Sequence, residues 1–597
     1  MSKKDQIVLG VKITSHDTGA ALVAEGRIVA IAEERLCRVK HSTNIFPALS
    51  IKYCMDTLRV SPKDIDLIVI DQVGKRDISR MAEIFKDKTG NTFEGVPIEV
   101  INHHDAHAAA AFYSSPFDDA AVLVIDGAGE KIKTNLGISA TETETMYRGT
   151  GNLITQLQKT THIRHMTVFP YTFGIAKLYT LFCEAIINLG HYNEGKMMGL
   201  APYGTDSLLK QFPFEKWFVE KDGHMLCNPK IEFLGKDKFL KKKKLEKYWR
   251  QILINILQNN LVSHFVRLLF PHAFIEDPKI FEPVRLPLKA RTDEQLPDKV
   301  YSDAAYLVQK VLEEVVTLWG RKIKAITSAR NLCVAGGVGL NIDANMRFLN
   351  DVGFEHLFVQ PASTDTGIPL GNALWGYHMI LKKPRFWRMK NASLGRKYGE
   401  KEILHAIDKK KHEINFHRTN DAAKEAARLV AKGNIIGWFH GGSEYGPRSL
   451  GNRSILCDAG RKDMKDILNN KVKHREPWRP FATSILAEHQ SEWFELDERS
   501  PFMLLDAPVR EEKKKLIPSI VHVDGTCRIQ AVTKESNARY YDLLQEFKKI
   551  TGVPLVLNTS FNLGGDPIVE TPNDALQTFL KTKMDYLILE DYIVEKK

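Results

Sequence analysis

The chain has 597 residues, 43% of them hydrophobic and 26% charged, and this length allows about two to four ordinary domains. No apolar run reaches the roughly 18 residues that a membrane span needs, and the N-terminus lacks the apolar core of a signal peptide. The seven cysteines include no C-x-x-C pair, which argues against a disulfide framework or a zinc ribbon. Together these features predict a cytoplasmic protein with reduced thiols and no membrane partner.

The net charge of +11 raises the question of a polyanionic partner. Much of the excess lies in one lysine-rich stretch, LGKDKFLKKKKLEKYWRQ at 234–251. A solvated basic face or an insertion explains this stretch better than nucleic-acid binding does. A pocket for phosphate groups is a second explanation of the basicity, and it needs far fewer residues.

The first 130 residues alternate between strand and helix patterns. QIVLGVKI at 6–13 predicts a buried strand, which is followed by the turn TSHDTG and by a hairpin about Glu25-Gly26. PALSIKYCMDTL has helical spacing, and DLIVID and IEVIN predict two further strands. AAVLVIDGAGEKIKTNLGISATETETMY then repeats the opening order of strand, acidic turn and more strands. We therefore predict an α/β fold with two copies of a ribonuclease-H-like unit, the plan of the actin/hexokinase superfamily.

Three histidines and an aspartate stand in the segment INHHDAH at 101–107. On a helix, His103 and His107 would project from the same face because they are four residues apart. Metal-binding helices use this geometry, but two imidazoles do not complete a metal site. An ordinary helix start with polar caps explains the segment as well, so the local sequence leaves both interpretations open.

The middle of the chain adds two more turns rich in glycine. LCVAGGVGLNIDANMRFL at 332–349 predicts a strand, a turn at Gly336-Gly337 and a helix, and such a turn either only packs or closes over a nucleotide. VQPASTDTGIPLGNALWGY at 359–377 places Asp365 at a second turn before a helix. Residues 205–300 have the irregular character of an insertion, and a polar stretch at 382–400 marks a boundary. These patterns predict two domains, 1–390 and 391–597.

The C-terminal unit concentrates cations in turns, beside glycine, proline and small hydroxyl residues. A single surface arginine usually forms only a salt bridge. Clustered cations in such turns instead suit a small ligand with several negative charges, so we predict a phosphate- or carboxylate-binding pocket. The cations and their neighbours lie in GWFHGGSEYGPRSLGNRSIL at 437–456, NNKVKHREPWRPFATSIL at 469–486, HVDGTCRIQAV at 522–532 and VPLVLNTSFNLGGDPIVET at 553–571.

The chain resembles the NodU/CmcH family of O-carbamoyltransferases from about residue 7 to residue 590. Nine motifs carry the resemblance: HHDAHAAAA, VIDGAGE, GKMMGLAPYG, AGGVGLN, DTGIPLGNA, EYGPRSLGNRSIL, VKHREPWRPFA, HVDGTCR and NTSFN. The resemblance implies an N-terminal domain similar to the threonylcarbamoyl-transferring subunit of the tRNA-modification machinery, and a YrdC-like C-terminal domain. It further implies that carbamoyl phosphate and ATP give carbamoyl adenylate in the YrdC-like domain. The N-terminal domain would then transfer the carbamoyl group to a hydroxyl group of the acceptor.

The same resemblance implies the site residues. A divalent metal, iron by family precedent with magnesium or manganese as alternatives, would bind His103, His107, Asp126 and Asp365. The carbamoyl-phosphate and ATP pocket would comprise Arg448, Lys473, Arg479, Arg528, Asn558 and Ser560, with Arg448, Lys473 and Arg528 in catalytic roles. Gly336, Gly337 and Asn341 would contact the nucleotide by backbone approach.

Three further residues are candidates with an alternative for each role. His16 is a candidate base for the acceptor hydroxyl, and Asp17 is the second catalytic candidate of this turn. Alternatively, His16 is a turn residue that only orients Asp17. Lys196 pairs with a phosphate, or else it is a solvated turn lysine.

A small natural product, as in antibiotic biosynthesis, is the acceptor that the resemblance implies, and a homodimer is expected. A macromolecular acceptor such as tRNA is the alternative, because KITSHDTG is close to the turn of the tRNA-modification proteins. Nucleic acid is otherwise not an expected partner, since no RNA-binding motif accompanies the lysine run. The missing C-x-x-C pairs argue against a role in hydrogenase maturation. The intact set of cations argues against a protein that binds a ligand without catalysing a reaction.

Overall fold

The computed structural model describes residues 6–13, 15–24, 26–72, 80–133, 139–163, 174–221, 224–228, 231–233, 282, 284–288, 291 and 298–597. The lysine-rich stretch at 234–251 and most of the predicted insertion lie outside the described residues. Within these ranges, no helix combines the length and the apolar character that crossing a bilayer requires.

Most strands within the described ranges are short, and β8 and β9 are the long exceptions with 12 and 11 residues. In chain order they are β1 Val8–Lys12, β2 Gly19–Ala24, β3 Arg27–Ala32, β4 Leu67–Gln72, β5 Ile98–Asn102, β6 Asp119–Ile125, β7 Lys131–Lys133, β8 Ser139–Thr150, β9 Leu153–Ile163, β10 Phe218–Lys221, β11 His224–Cys227, β12 Ile231–Phe233, β13 Val284–Leu286, β14 Asn331–Ala335, β15 His356–Val359, β16 Ile414–Arg418, β17 Ile436–Phe439, β18 Arg453–Cys457, β19 Ala482–Leu486, β20 Asp506–Pro508, β21 Thr526–Val532, β22 Leu555–Ser560, β23 Tyr586–Leu589 and β24 Tyr592–Lys596.

The α-helices of the described ranges alternate with these strands. They are Glu33–Cys37, Ala48–Leu58, Met81–Thr89, His103–Ser114, Ile175–Leu181, Glu194–Leu200, Ser207–Gln211, Lys299–Thr327, Ile342–Asn350, Ile368–Trp375, Glu400–Asp408, Ala422–Ala431, Met464–Leu468, Gln490–Trp493, Glu511–Lys514, Ala538–Thr551 and Pro572–Lys581. The predicted helix in PALSIKYCMDTL and the predicted strands in DLIVID and IEVIN all form.

Two sheets of the N-terminal unit repeat one strand order. In the first sheet the order is β3-β2-β1-β4-β5, with β1 antiparallel to β2 and parallel to β4. In the second sheet β9, β8, β6, β14 and β15 follow in the same way, with β6 antiparallel to β8 and parallel to β14, and β7 pairs with β8 in addition. The repeated order confirms the α/β class and agrees with the predicted duplication.

Two helices lie between the sheets and bring the predicted metal ligands together. The helix Ile368–Trp375 packs against β1 and against the helix His103–Ser114. This approach requires glycine, because a Cβ atom on Gly371 would overlap the carbonyl oxygen of Ala106, and one on Gly10 would overlap that of Pro369. The turn before the helix Ile368–Trp375 therefore meets the first turn of the helix His103–Ser114.

The C-terminal unit has a single mixed sheet in the order β16-β24-β23-β17-β18-β22-β19-β21-β20. It follows a stretch, residues 381–399, without helix or strand. Buried apolar side chains of both units belong to one continuous cluster, so the two units share a core.

Hydrogen bonds fix the first sheet of the N-terminal unit to the C-terminal unit. The guanidinium of Arg38 donates to the carbonyl oxygens of Pro567 and Ile568, each at 2.7 Å. The hydroxyl of Tyr53 donates to the buried carboxylate of Glu570 at 2.6 Å. These contacts fasten the two helices that follow β3 to the C-terminal unit.

Candidate functional site

Four predicted metal ligands from three separate segments converge in the N-terminal unit. One donor atom from each of His103, His107, Asp126 and Asp365 lies within 4.8 Å of the others. His103 Nε2 is 3.4 Å from Asp365 Oδ1 and 3.8 Å from Asp126 Oδ2, and His107 Nε2 is 3.7 Å from Asp365 Oδ1. This cluster is called the His/Asp cluster below.

Local structure explains how these side chains are freed for the cluster. The helix His103–Ser114 is capped by Asn102, whose side-chain oxygen accepts from the backbone N–H groups of His104 and Asp105 at 2.8 and 3.3 Å. The segment INHHDAH therefore contains both a polar helix cap, which is Asn102, and two of the converging ligands. Asp126 directly follows β6, and Asp365 opens the turn before the helix Ile368–Trp375.

Charged neighbours set the protonation of the cluster. Burial opposes ionisation of Asp365, but the charges of Lys12 and His103 outweigh it and hold the pKa of this carboxyl well below its usual range. Lys12 Nζ lies 3.2 Å from Asp365 Oδ2. Burial lowers the pKa of His103, but Asp365 and Asp126 more than offset this effect and raise the pKa well above its ordinary value. A metal ion at this position would displace that proton.

The donor set fits a divalent metal ion. His103 Nδ1 lies 2.9 Å from the buried carboxylate of Asp71, which fixes the ring and directs Nε2 into the cluster. His103 Nε2 and both ring nitrogens of His107 are buried and have no hydrogen-bond partner among the described residues. Buried polar atoms rarely stay without partners, and a cation bound at Nε2 of both rings would satisfy these ligand atoms. Two imidazoles and two carboxylates are a donor set that divalent metal ions accept.

The turn after β1 lies beside the His/Asp cluster. His16 Nε2 is 3.8 Å from Asp365 Oδ2, and His16 Nδ1 is 3.2 Å from Asp17 Oδ2. Asp17 Oδ1 lies 2.9 Å from Nδ1 of His41, a residue that the sequence analysis did not single out. Burial raises the pKa of Asp17, but His16 and His41 outweigh it and the pKa is lowered. His41 belongs to no motif with known chemistry, so only its place in the fold identifies it.

The glycine turn after β14 reaches the cluster through its backbone. The N–H of Gly337 donates to Asp126 Oδ1 at 3.1 Å, and Gly336 has a φ of 90°, which favours glycine. The side chain of Asn341 has a local structural role, and its predicted backbone contact with a nucleotide stays a prediction. Its side chain caps the helix Ile342–Asn350 by accepting from Ala344 N at 3.0 Å, and it donates to Gln309 at 2.9 Å.

The predicted cations of the C-terminal unit line one large cavity of 840 Å³. Its wall also contains residues of the N-terminal unit, among them Glu34, Lys40 and Tyr192, so the cavity lies between the two units. The cationic side chains that line it are Lys40, Lys196, Arg291, Arg448, Lys473, Arg475, Arg479 and Arg528. This space is called the cationic cavity below.

Within the described residues, Arg448 and Arg528 have no carboxylate partner, and Nε of each is buried without a hydrogen bond. Burial and the charges of Arg528 and Arg479 lower the pKa of Arg448 well below its usual range. Burial also lowers the pKa of Arg528 to about 10, and Arg479 contributes to that shift. Like charges held together in this way are destabilising until an anion with several charges binds between them.

The other predicted pocket residues differ in how many of their polar atoms are free to bind a ligand. Lys473 Nζ donates to Ser560 Oγ at 3.2 Å and to Asn562 Oδ1 at 2.8 Å, at the cavity wall. The amide nitrogen of Asn558 is buried and donates to Ser484 Oγ at 2.8 Å, so this group joins β22 to β19. Lys196 pairs with Glu476 at 2.7 Å, and Glu476 also lies 3.5 Å from Arg479.

Arg453 belongs to the same arginine-rich stretch but has a structural role. Its guanidinium is fully buried, donates to the carbonyl oxygens of His440 and Gly441 at 2.9 and 3.1 Å, and lies over the ring of Phe439. A cation with its donors used in this way does not serve a ligand.

A buried carboxyl pair from the two units gives a pH-dependent prediction. Burial raises the pKa of Asp343 well above its usual range, and burial with the charge of Asp524 raises that of Asp506 to about 6. The folded chain then keeps protons that the unfolded chain releases near pH 4. Stability from this pair is therefore present at low pH and is lost as the pH rises through about 6.

Between about pH 5 and pH 8, we expect the apparent Tm of Asp506→Asn to fall less than the apparent Tm of the wild type. Scanning calorimetry across this range measures the effect. Asp497→Asn, at an exposed position, is the matched control and should follow the wild-type curve. Parallel curves for Asp506→Asn and the wild type would contradict the prediction.

Comparison with known proteins gives matches in both units. The family model for the carbamoyltransferase N-terminus matches residues 7–92, 84–216 and 272–374, and the model for the carbamoyltransferase C-terminus matches residues 427–596. Together these matches cover most of the chain.

Several curated proteins are similar over most of their length. An uncharacterized protein of Synechocystis sp. is 32% identical, over 99% of this chain and 96% of its own length. Nodulation protein NolNO of Sinorhizobium fredii is 31% identical, over 98% of this chain and 79% of its own length. Among solved structures, the crystal structure of T. kodakarensis HypF aligns with 63% of this chain and 48% of that one, at 12% identity and a TM-score of 0.32.

Proposed function

This chain belongs to the carbamoyltransferase family and is a transferase, and from this premise we propose that it is an ATP-dependent O-carbamoyltransferase that works in two steps. In this proposal the C-terminal unit, residues 391–597, is YrdC-like and forms carbamoyl adenylate. The N-terminal unit, residues 1–390, transfers the carbamoyl group to a hydroxyl acceptor.

One observation carries the proposal: cations from several turns meet in a cavity between the two units. Arg448 and Arg528 are held there without an anionic partner among the described residues. Several phosphate groups together would balance this charge, and carbamoyl phosphate and ATP bring them. The cavity wall includes residues of both units, which suits an intermediate formed by one and used by the other.

The first step needs charge stabilisation more than covalent chemistry. Carbamoyl phosphate and water give carbamate and phosphate, and a carbamate oxygen then attacks the α-phosphorus of ATP, with pyrophosphate as the leaving group. Arg448 and Arg528 would neutralise the phosphate oxygens, and Arg479 would assist them. Lys473 is oriented for the same task by Ser560 and Asn562.

The second step takes place in the N-terminal unit. The acceptor oxygen attacks the carbonyl carbon of carbamoyl adenylate, its proton passes to Nε2 of His16, and the carbonyl–oxygen bond to AMP breaks. Asp17 orients His16 through Nδ1. A divalent metal held by His103, His107, Asp126 and Asp365 would supply Lewis acidity toward the phosphate oxygens. Gly337 holds Asp126 in place with its backbone N–H.

We propose a small hydroxylated molecule of the natural-product type as the acceptor. The motifs that resemble the NodU/CmcH O-carbamoyltransferases support this class of acceptor, while the cationic cavity, 840 Å³, is large enough for the substrates of the first step. The predicted cytoplasmic location and the predicted homodimer are part of the same proposal.

Pyrophosphate release without an acceptor tests the proposal. We expect the purified chain with ATP to release pyrophosphate only when carbamoyl phosphate is added. Release at the same rate without carbamoyl phosphate would refute the first step. A screen of hydroxylated compounds, with mass detection of a carbamoyl gain, then identifies the acceptor.

A further inference from the structure

Two loops that are far apart in the sequence are joined beside the His/Asp cluster. One is the first turn, residues 15–18, and the other is the histidine loop, residues 40–44. Backbone hydrogen bonds run from Asp17 N to His41 O at 2.6 Å and from Asn44 N to Ser15 O at 2.7 Å. Thr18 N donates to Ser42 Oγ at 3.0 Å as well. The histidine loop is therefore built as a support for the first turn.

Both loops hold residues other than glycine in the left-handed region of φ. The φ values are 50° at Ser15, 51° at Asp17, 62° at His41, 36° at Ser42 and 57° at Asn44. Such conformations cost free energy for residues with a Cβ atom, and they concentrate at functional sites. Glycine would adopt the backbone conformation of position 41 more easily than histidine does. We therefore expect the imidazole side chain to have a task that offsets this cost.

The His41 imidazole has a defined task in this geometry. Its Nδ1 lies 2.9 Å from one oxygen of Asp17, while the other oxygen of Asp17 lies 3.2 Å from Nδ1 of His16. One carboxylate is thus shared by two imidazoles. Because Asp17 holds Nδ1 of His16, the opposite nitrogen, Nε2, faces Asp365 at 3.8 Å.

An aromatic ring covers both imidazoles. The ring of Tyr192 lies 4.3 Å from that of His41 and 5.1 Å from that of His16, between centroids. Tyr192 is 45% exposed, also has a left-handed φ of 58°, and lines the cationic cavity. The histidine pair therefore stands between the cationic cavity and the His/Asp cluster.

We propose that His41 is a positioning residue for carbamoyl transfer: it fixes the second oxygen of Asp17, and through Asp17 it holds His16 with Nε2 toward the reacting centre. The inference rests on the proposed function of this site. It assigns His41 to the transfer step alone, because His41 itself is not among the residues that line the cationic cavity.

Three variants separate this role from simple support of the loop. His41→Ala removes both the donor to Asp17 and the stacked ring. His41→Asn restores a donor close to the position of Nδ1, whereas His41→Phe restores the ring beside Tyr192 without a donor. His412→Ala, at an exposed position in the C-terminal unit, is the matched control.

The two steps are measured separately. Carbamoyl-phosphate-dependent exchange of pyrophosphate into ATP reports the first step. AMP release, with glycerol as the hydroxyl probe and water as its background, reports the second. We expect His41→Ala to lower kcat for AMP release by about 10- to 100-fold with the exchange rate unchanged. His41→Asn should regain most of this loss, and His41→Phe should not.

Other outcomes would overturn the proposal. AMP release at the wild-type rate in His41→Ala is one, because the imidazole would then have no part in the transfer. Equal losses in the Asn and Phe variants with equally lowered Tm is another, because these would indicate only structural support of the loop. A failure of the proposed function has a different signature, which is absence of the exchange in the wild type. In that case nitrogen NMR of labelled histidine still tests the positioning role, because His16 should keep its Nδ1–H tautomer in His41→Asn and lose it in His41→Ala.

Discussion

Arg528→Ala is expected to lower carbamoyl-phosphate-dependent pyrophosphate release by at least about 100-fold. The guanidinium stands in the cationic cavity with Arg448 and Arg479, and within the described residues it has no carboxylate partner. Its charge is thus available to the phosphate groups of the substrates and is not used by the fold. Arg528→Lys should retain part of the activity, since it keeps the charge but loses the planar fork.

The stability of the fold should not decrease in Arg528→Ala. Burial and the charge of Arg479 lower the pKa of Arg528 to about 10, which means that the folded state disfavours this cation. We therefore expect Arg528→Ala to leave the Tm unchanged or to raise it, as is usual for residues kept for function. Arg499→Ala, at an exposed position, controls for the loss of one positive charge. Unchanged pyrophosphate release in Arg528→Ala would show that the site has been assigned wrongly.

His107→Ala is expected to lose its metal. We expect the metal content of the purified variant to fall more than about tenfold, because the cluster offers only two imidazole ligands and both are needed to complete the shell. Elemental analysis of protein produced in media with iron or with manganese measures the metal content. The rate of carbamoyl transfer should fall in parallel.

His104→Asn is the matched control for the metal prediction. His104 lies in the same helix turn and is equally buried, but its Nδ1 bonds to Thr145 Oγ1 at 2.7 Å and it is not part of the His/Asp cluster. The asparagine side chain can keep a hydrogen bond to Thr145, so the metal content should stay at the wild-type level. Full metal occupancy in His107→Ala would contradict the assignment of that ligand.

Much of the fold could be predicted from the sequence because it depends on local patterns. Continuous apolar runs predicted the buried strands β1, β4 and β6, and the repeated order of strand, acidic turn and hairpin predicted a duplication. The charged residues of the motifs also identified the metal ligands and the cavity cations as candidates. Local patterns did not show that the side chain of Asn341 caps a helix or that the side chain of Asn558 joins two strands, and the predicted ligand contacts of both residues stay predictions.

The sequence by itself determined which side chains were candidates, since type and motif are properties of the chain. Only the tertiary structure decided how each is used, because a side chain has few hydrogen-bonding atoms and its neighbours determine whether these stay free. His103 and His107 point unpaired nitrogens at Asp365 because Gly371 lets the helix Ile368–Trp375 approach the helix that carries both histidines. His41 entered the site because a loop 24 residues away folds back onto the first turn, a contact that no local pattern records.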